Sequence, residues 1–305
     1  VLEKDVDLSV EIAGLIIRNP TMLASGILGI SYEVFKRVYE AGAGAIVSKS
    51  ISVEPMEGYK NPTVVSVECG YINAVGLSNP GVDAFVKEIA NNDSVPIIVN
   101  LVGSTEDEFV SMVKKFDNLN ILAYELNLSC PHVAKVGLEV GDDHELVSRI
   151  VKSMKSNTKK PVIVKVGLGA SDIVETARVS RDAGADAITA INTIRAMTID
   201  IETGMPVLSN RIGGLSGKAI KPVAVRCVYE ISKNVGLPVI GCGGVYSWED
   251  AVEFMLAGAS AVQMGSVIGE KWFDAFKNVT KGLGSYLAKR GMKSASELVG
   301  LAHKY

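Results

Sequence analysis

The chain has 305 residues, 48% of them hydrophobic and 21% charged, so it can bury a large core and is not a disordered polymer. Its 31 basic and 34 acidic side chains leave a formal net charge of −3, which gives no long-range attraction to nucleic acid or an anionic membrane. The opening Val1-Leu2-Glu3-Lys4-Asp5 is too charged for a secretory leader, and no apolar run is long enough to span a bilayer. The cysteines Cys69, Cys130, Cys227 and Cys242 form no Cys-x-x-Cys pair, so a cytoplasmic chain with neither disulfides nor a metal knuckle is expected.

Residues 7–19 read as a hairpin that turns at Ala13-Gly14 and closes the bottom of a barrel. Apolar, β-branched-rich runs then predict strands at 20–24, 44–48, 96–101, 122–127, 161–166, 186–191, 237–242 and 261–265. Amphipathic spacing predicts helices near 31–41, 82–91, 105–116, 143–157, 171–183, 219–234, 247–257 and 271–288. Most of the strands are apolar on both faces, as strands covered by helices must be. Eight strands each followed by a helix give the count of a closed parallel (β/α)8 TIM barrel, an α/β fold read as a single domain over residues 1–305.

The connectors keep that register. Ala41-Gly42-Ala43, Ala183-Gly184-Ala185 and Ala257-Gly258-Ala259 each place a glycine to end one helix before the next strand begins. Pro20, Pro96, Pro161 and Pro238 stand at strand entrances, where a missing N–H costs no ladder bond. These joints are short, whereas the strand-to-helix loops 49–81, 128–142 and 192–218 are long. In such a barrel those loops share the C-terminal face, where active sites sit.

Reading only the strand ends gives Ser25, Lys49, Asn100, Asn127, Lys165 and Asn192. Gly241-Cys242-Gly243-Gly244 follows strand seven, and Met264-Gly265-Ser266 ends strand eight. Glycines at those two positions let backbone N–H groups close on a phosphate. A lysine ordinarily snorkels to solvent. Lys165 lies in Val162-Ile163-Val164-Lys165-Val166-Gly167, where a cation is costly unless something electron-rich faces it. A flavin is such a partner, because a lysine beside its pyrimidine edge stabilises the anion formed on hydride uptake. Cys130 lies just past a strand end, between Ser129 and Pro131, where a thiol can serve as a proton acceptor. Cys69, Cys227 and Cys242 lack such a setting, Cys227 reads as core, and His144 and His303 read as surface residues. Asn73, Asn127 and Asn192 fall in loop-face segments. Asparagine is common in turns, yet three converging carboxamides suit a planar ligand edged with N–H and C=O groups, such as a pyrimidine.

The ordered motifs Ala24-Ser25-Gly26, Ser48-Lys49-Ser50, Asn73-Ala74-Val75-Gly76-Leu77-Ser78-Asn79-Pro80-Gly81, Asn127-Leu128-Ser129-Cys130-Pro131, Ile191-Asn192-Thr193, Gly213-Gly214-Leu215-Ser216-Gly217 and Gly241-Cys242-Gly243-Gly244 resemble the dihydroorotate dehydrogenases over nearly the whole chain. The resemblance implies FMN at the C-terminal mouth of the barrel. It would be contacted by Ser25, Lys49, Ser50, Asn100, Asn127, Lys165, Ile191, Gly217, Gly243, Gly244, Gly265 and Ser266. Orotate would stack on the flavin, held by Lys49, by Asn73, Ala74, Val75, Gly76 and Leu77, and by Asn127, Asn192 and Thr193. Cys130 would be the catalytic base, taking a proton from C5 of dihydroorotate while the C6 hydride passes to the flavin.

Membrane-associated relatives carry an apolar N-terminal extension and typically a serine base, and neither is present here. The stretches Ala196–Leu208 and Gly213–Pro222 resemble the NAD-linked branch (class 1B). That resemblance implies an electron-transfer subunit carrying FAD and a 2Fe–2S cluster, in a heterotetramer of two catalytic and two electron-transfer chains. No cysteine set for a cluster exists in this chain, in keeping with a cluster held elsewhere. The competing readings are a dihydropyrimidine (dihydrouracil) dehydrogenase, a fumarate-linked dihydroorotate dehydrogenase, and a non-catalytic flavin-binding scaffold. Two positions depart from the family pattern. His132 stands where asparagine is usual, and Lys218 where proline is often found.

Overall fold

The computed structural model describes residues 6–128, 140–169 and 171–305. An antiparallel hairpin comes first, formed by β1 (Val10–Ile12) and β2 (Leu15–Ile17). It turns at Ala13 and Gly14 with φ of 54° and 78°, the two positive values that a primed two-residue turn requires. Next are β3 (Thr21–Leu23), α1 (Tyr32–Glu40), β4 (Ala45–Val47), a second hairpin of β5 (Val64–Val67) and β6 (Gly70–Asn73), and α2 (Val82–Ile89). Strict alternation follows through β7 (Ile97–Leu101), α3 (Glu106–Phe116), β8 (Ala123–Asn127), α4 (His144–Asn157), β9 (Val162–Val166), α5 (Ile173–Asp182) and β10 (Ala187–Ala190). Two short strands, β11 (Ile194–Ala196) and β12 (Gly213–Ser216), precede α6 (Lys221–Val235). The last elements are β13 (Val239–Cys242), α7 (Trp248–Leu256), β14 (Ala259–Met264), the short α8 (Ile268–Lys271) and α9 (Asp274–Arg290).

The strands β3, β4, β7, β8, β9, β10, β13 and β14 close into one barrel, and every neighbouring pair is parallel. Each coincides with a strand predicted from the sequence, and the helices fall where their spacing places them. Local chemistry fixes the boundaries. Thr105 with Glu108 and Ser247 with Asp250 form capping boxes on α3 and α7, Asp143 and Asp172 cap α4 and α5, and Gly236 and Gly291 end α6 and α9 in the left-handed conformation. Gly42, Gly184 and Gly258 take φ of 115°, 102° and 116°, so the three Ala-Gly-Ala joints turn as predicted.

Strand alternation separates two cores. Leu23, Ile46, Ile97, Val99, Tyr124, Leu126, Val162, Val164, Ile188, Val239 and Val262 point outward and pack beneath the helices. Their alternates Met22, Ala45, Val47, Ile98, Ala123, Ile163, Ala187, Ile240 and Ala261 point into the barrel and pack with Val10, Ile12 and Ile17 of the hairpin. The hairpin therefore plugs the N-terminal end. Each fully buried Val, Leu, Ile or Phe contributes roughly 1.5–3 kcal/mol, so both cores are strong stabilisers.

One element has no counterpart in the sequence reading. The long loops 49–81 and 192–218, for which the sequence reading gives no strands, build a four-stranded antiparallel sheet in the order β11-β12-β6-β5. Among the described residues, no helix is long and apolar enough to cross a membrane.

Candidate active site at the barrel mouth

Since side chains two apart on a strand share a face, the inward rows continue upward from the apolar plug. Above Ile98 comes Asn100, above Ala123 come Glu125 and Asn127, and above Ile163 comes Lys165. Above Ala187 come Thr189 and Ile191, above Ile240 comes Cys242, and above Ala261 come Gln263 and Gly265. Within one step the barrel interior changes from apolar to polar. Glu125, Asn100 and Thr189 are 0% exposed, Gln263 1% and Lys165 5%.

These groups satisfy one another. Glu125 Oε1 accepts from Asn100 Nδ2 at 2.7 Å, and Oε2 accepts from Thr189 Oγ1 at 2.7 Å and Gln263 Nε2 at 2.6 Å. Lys165 Nζ donates to Gln263 Oε1 at 3.2 Å and approaches Cys242 Sγ at 3.8 Å. Burial alone would lower the pKa of Lys165, but its neighbours Cys242 and Glu125, with the contact to the sulfur, reverse the sign, and it lies above the usual lysine value. Burial pushes the Cys242 thiol up despite the lysine, so at neutral pH Cys242 is an uncharged neighbour. Among the described residues, the buried Asn100 Oδ1 has no hydrogen-bond partner, an acceptor left over for another donor.

Above this layer the carboxamides meet. Asn127 Nδ2 donates to Ser50 Oγ at 3.1 Å, and Asn192 Nδ2 donates to Asn127 Oδ1 at 3.2 Å. Lys49 follows β4 and is half-buried. Among the described residues its ammonium meets no acceptor, and burial holds its pKa below the usual lysine value. Ser25 follows β3, and Ile191 and Thr193 flank Asn192 beyond β10. The four-stranded sheet brings in the remainder. Asn73, at the end of β6, pairs with Gly214 and donates through Nδ2 to its carbonyl at 3.2 Å. A Cβ at Gly214 would lie 2.0 Å from Thr193 Oγ1, so the absence of a side chain there lets the loop of Asn73, Ala74, Val75, Gly76 and Leu77 join the mouth next to Thr193.

On the opposite side, Gly243 and Gly244 adopt φ of 131° and 79°. A Cβ at Gly244 would lie 2.8 Å from the carbonyl oxygen of Gly217, so these two glycine turns touch. Gly265 and Ser266 follow β14 beside them. Among the described residues, the amides of Gly243, Gly244, Gly265 and Ser266 meet no backbone or side-chain acceptor. That is a cradle for an anion. Among the described residues, no group of three or more His, Cys, Asp or Glu side chains could hold a metal ion.

The family model for dihydroorotate dehydrogenase matches residues 7–287. The chain belongs to the dihydroorotate dehydrogenase family. The catalytic subunit of dihydroorotate dehydrogenase B (NAD(+)) from Pyrococcus furiosus is 45% identical over 300 residues, 98% of this chain and 100% of that one. Its counterpart from Methanocella arvoryzae is 46% identical over 293 residues, 95% of this chain and 96% of that one. The one from Methanothermobacter thermautotrophicus is 45% identical over 299 residues, 97% and 98% of the two chains.

In this dihydroorotate dehydrogenase family member, Ser129, Cys130, Pro131 and His132 lie outside the described residues. Cys242, read as lacking the setting of a proton-accepting thiol, lies beside Lys165 in the polar layer, a contact that the sequence reading did not foresee. His144 and His303, read as surface residues, are partly exposed, with His144 Nε2 3.2 Å from Thr176 Oγ1 and His303 Nε2 3.0 Å from the carbonyl of Ala257. Glu125, Thr189 and Gln263 were missed, although Glu125 gave the same signal as Lys165, a charge in an otherwise apolar strand. Cys227 is core, as expected, at 0% exposure. Lys218 lays its ammonium 4.8 Å from the ring centre of Tyr246, a contact that proline could not make.

Proposed function

We propose that the chain acts as one domain, the FMN-bearing catalytic subunit of a NAD-linked dihydroorotate dehydrogenase. It oxidises (S)-dihydroorotate to orotate in the cytoplasm, in de novo pyrimidine synthesis. A partner subunit with FAD and a 2Fe–2S cluster passes the electrons to NAD, in a complex of two chains of each kind. The names of the relatives and the resemblance of residues 196–222 support the partner and the acceptor.

The observation that carries this reading is the meeting, at one end of the barrel, of a lysine with no acceptor among the described residues, three carboxamides and an anion cradle. The residues fit FMN on two local grounds. Four backbone amides around crowded glycines, with no acceptor among the described residues, suit its phosphate, and Asn100 Oδ1, unpartnered among the described residues and in the same layer as the buried Lys165, suits a ring with both donor and acceptor edges. In this assignment Gly217, Gly243, Gly244, Gly265 and Ser266 hold the phosphate end. Ser25, Lys49, Ser50, Asn100, Asn127, Lys165 and Ile191 line the ring.

Lys49 supplies the cation for the carboxylate of dihydroorotate, which dihydrouracil lacks. Asn73, Asn127, Asn192 and Thr193 pair with the N–H and C=O groups of the pyrimidine, and Ala74 to Leu77 cover it. Bound FMN supplies the hydride acceptor for the C6 hydrogen. Cys130 takes the C5 proton, so that one proton and one hydride leave adjacent carbons and a C=C bond forms between them.

The test is an anaerobic titration of the purified chain. The protein is expected to be yellow with one FMN per chain and to bleach on addition of dihydroorotate. A colourless chain that takes up no FMN, or one bleached only by dihydrouracil, would falsify the reading.

A further inference from the structure

Among the described residues Glu125 is the one fully buried carboxylate in the polar layer, and no step of dihydroorotate oxidation requires it. It lies on β8 with 0% exposure. A carboxylate in that position costs several kcal/mol unless donors and a cation compensate it. Three side-chain donors on three other strands do so: Asn100 on β7, Thr189 on β10 and Gln263 on β14.

The consequence lies in which end of each amide is committed. Gln263 gives its Nε2 to Glu125, so its Oε1 must face the other way, where Lys165 Nζ donates to it. Asn100 likewise gives its Nδ2 to Glu125, so its Oδ1 is turned away with no partner among the described residues. A single carboxylate thus sets the direction of two amides, one towards the lysine and one towards a ligand donor. The charged or titratable groups facing Lys165 are Glu125 from β8 and Cys242 from β13, and Cys242 is a neutral thiol at neutral pH. Glu125 is therefore the counter-charge of Lys165, held at one remove through Gln263.

We propose that Glu125 is a positioning residue: through Gln263 it keeps Lys165 charged and fixed, through Asn100 it presents an acceptor to the flavin ring, and by both it sets the reduction potential of bound FMN. The proposal rests on FMN occupying this mouth. Its test uses the FMN-loaded full chain in four forms: wild type, E125Q, K165M and E125Q/K165M. The potential of bound FMN is followed from neutral to strongly alkaline pH, and FMN affinity is measured by fluorescence quenching.

Without its counter-charge, Lys165 in E125Q loses its proton within that range. The potential of E125Q should therefore show an added inflection towards negative values that is absent from wild type. The double variant should lack the inflection, because no lysine remains to titrate. The FMN dissociation constant of E125Q should rise about tenfold, the weight of one well-formed hydrogen bond. Should E125Q fail to fold, Q263M leaves the carboxylate in place with its donors Asn100 and Thr189, removes the bridge from it to Lys165, and is expected to give the same inflection.

An E125Q or Q263M curve parallel to wild type would overturn the proposal, as would an inflection that persists in E125Q/K165M. A wild-type chain that binds no FMN overturns the functional reading itself, which separates the two failures.

Discussion

Lys49 and Lys165 show how two lysines facing the same mouth can be given different chemistry. Lys165 is buried but compensated, and its pKa is raised; Lys49 is half-buried without an acceptor, and burial lowers its pKa. The sign of the pH dependence follows for Lys49. The ammonium that would hold the substrate carboxylate is present below its pKa and lost as pH rises through it, earlier than for a free lysine. We expect kcat/KM for dihydroorotate to fall on the alkaline side, and Lys49→Met to raise KM and remove that limb. An alkaline limb surviving in the variant would assign it to another group. Cys130→Ala should keep FMN bound while the rate of flavin reduction by dihydroorotate drops about 10²- to 10⁴-fold, measured by stopped-flow absorbance. Near-normal reduction would remove Cys130 as the base.

Among the elements, the barrel strands were legible because most are short β-branched-rich runs entered through proline or glycine, β8 being the exception, and the helices because their apolar spacing and caps agree. The sheet of β11, β12, β6 and β5 was not. Its strands are three or four residues long and half exposed, and the central pair β6–β12 joins across more than a hundred positions of sequence, so periodicity had little to work on. The loop residues Asn73, Asn192 and Thr193 were singled out from composition and motif, but what joins them is this sheet. Gly214 is its tightest point. Gly214→Val would drive a side chain into Thr193, whose Oγ1 lies 2.0 Å from the position a Cβ would take. The expected result is a KM for dihydroorotate raised on the order of tenfold to a hundredfold with FMN content unchanged. If KM holds and FMN is lost instead, the sheet serves the cofactor and not the substrate. Glu125 and Gln263 escaped notice for a different reason. A polar residue in a strand reads as an exposed face until its partners on the neighbouring strands are known.

For the whole molecule, the proposed division of labour predicts that the FMN-loaded chain alone bleaches with dihydroorotate and reduces an artificial dye, yet leaves NAD unreduced. Adding the FAD and 2Fe–2S subunit should switch NAD reduction on, followed as absorbance at the nicotinamide band. NAD reduction by the chain alone would reject the partner. The hairpin of β1 and β2 bears on how such an enzyme must run. It stoppers one end of the barrel with Val10, Ile12 and Ile17, so among the described residues the proposed centre is approached from the C-terminal mouth. In the proposed function dihydroorotate would enter and orotate depart through that mouth, and the electrons would be handed on beside it. Turnover then becomes a two-stroke cycle: one half loads the flavin and clears the product, the other discharges it, and each visitor waits for the last to leave.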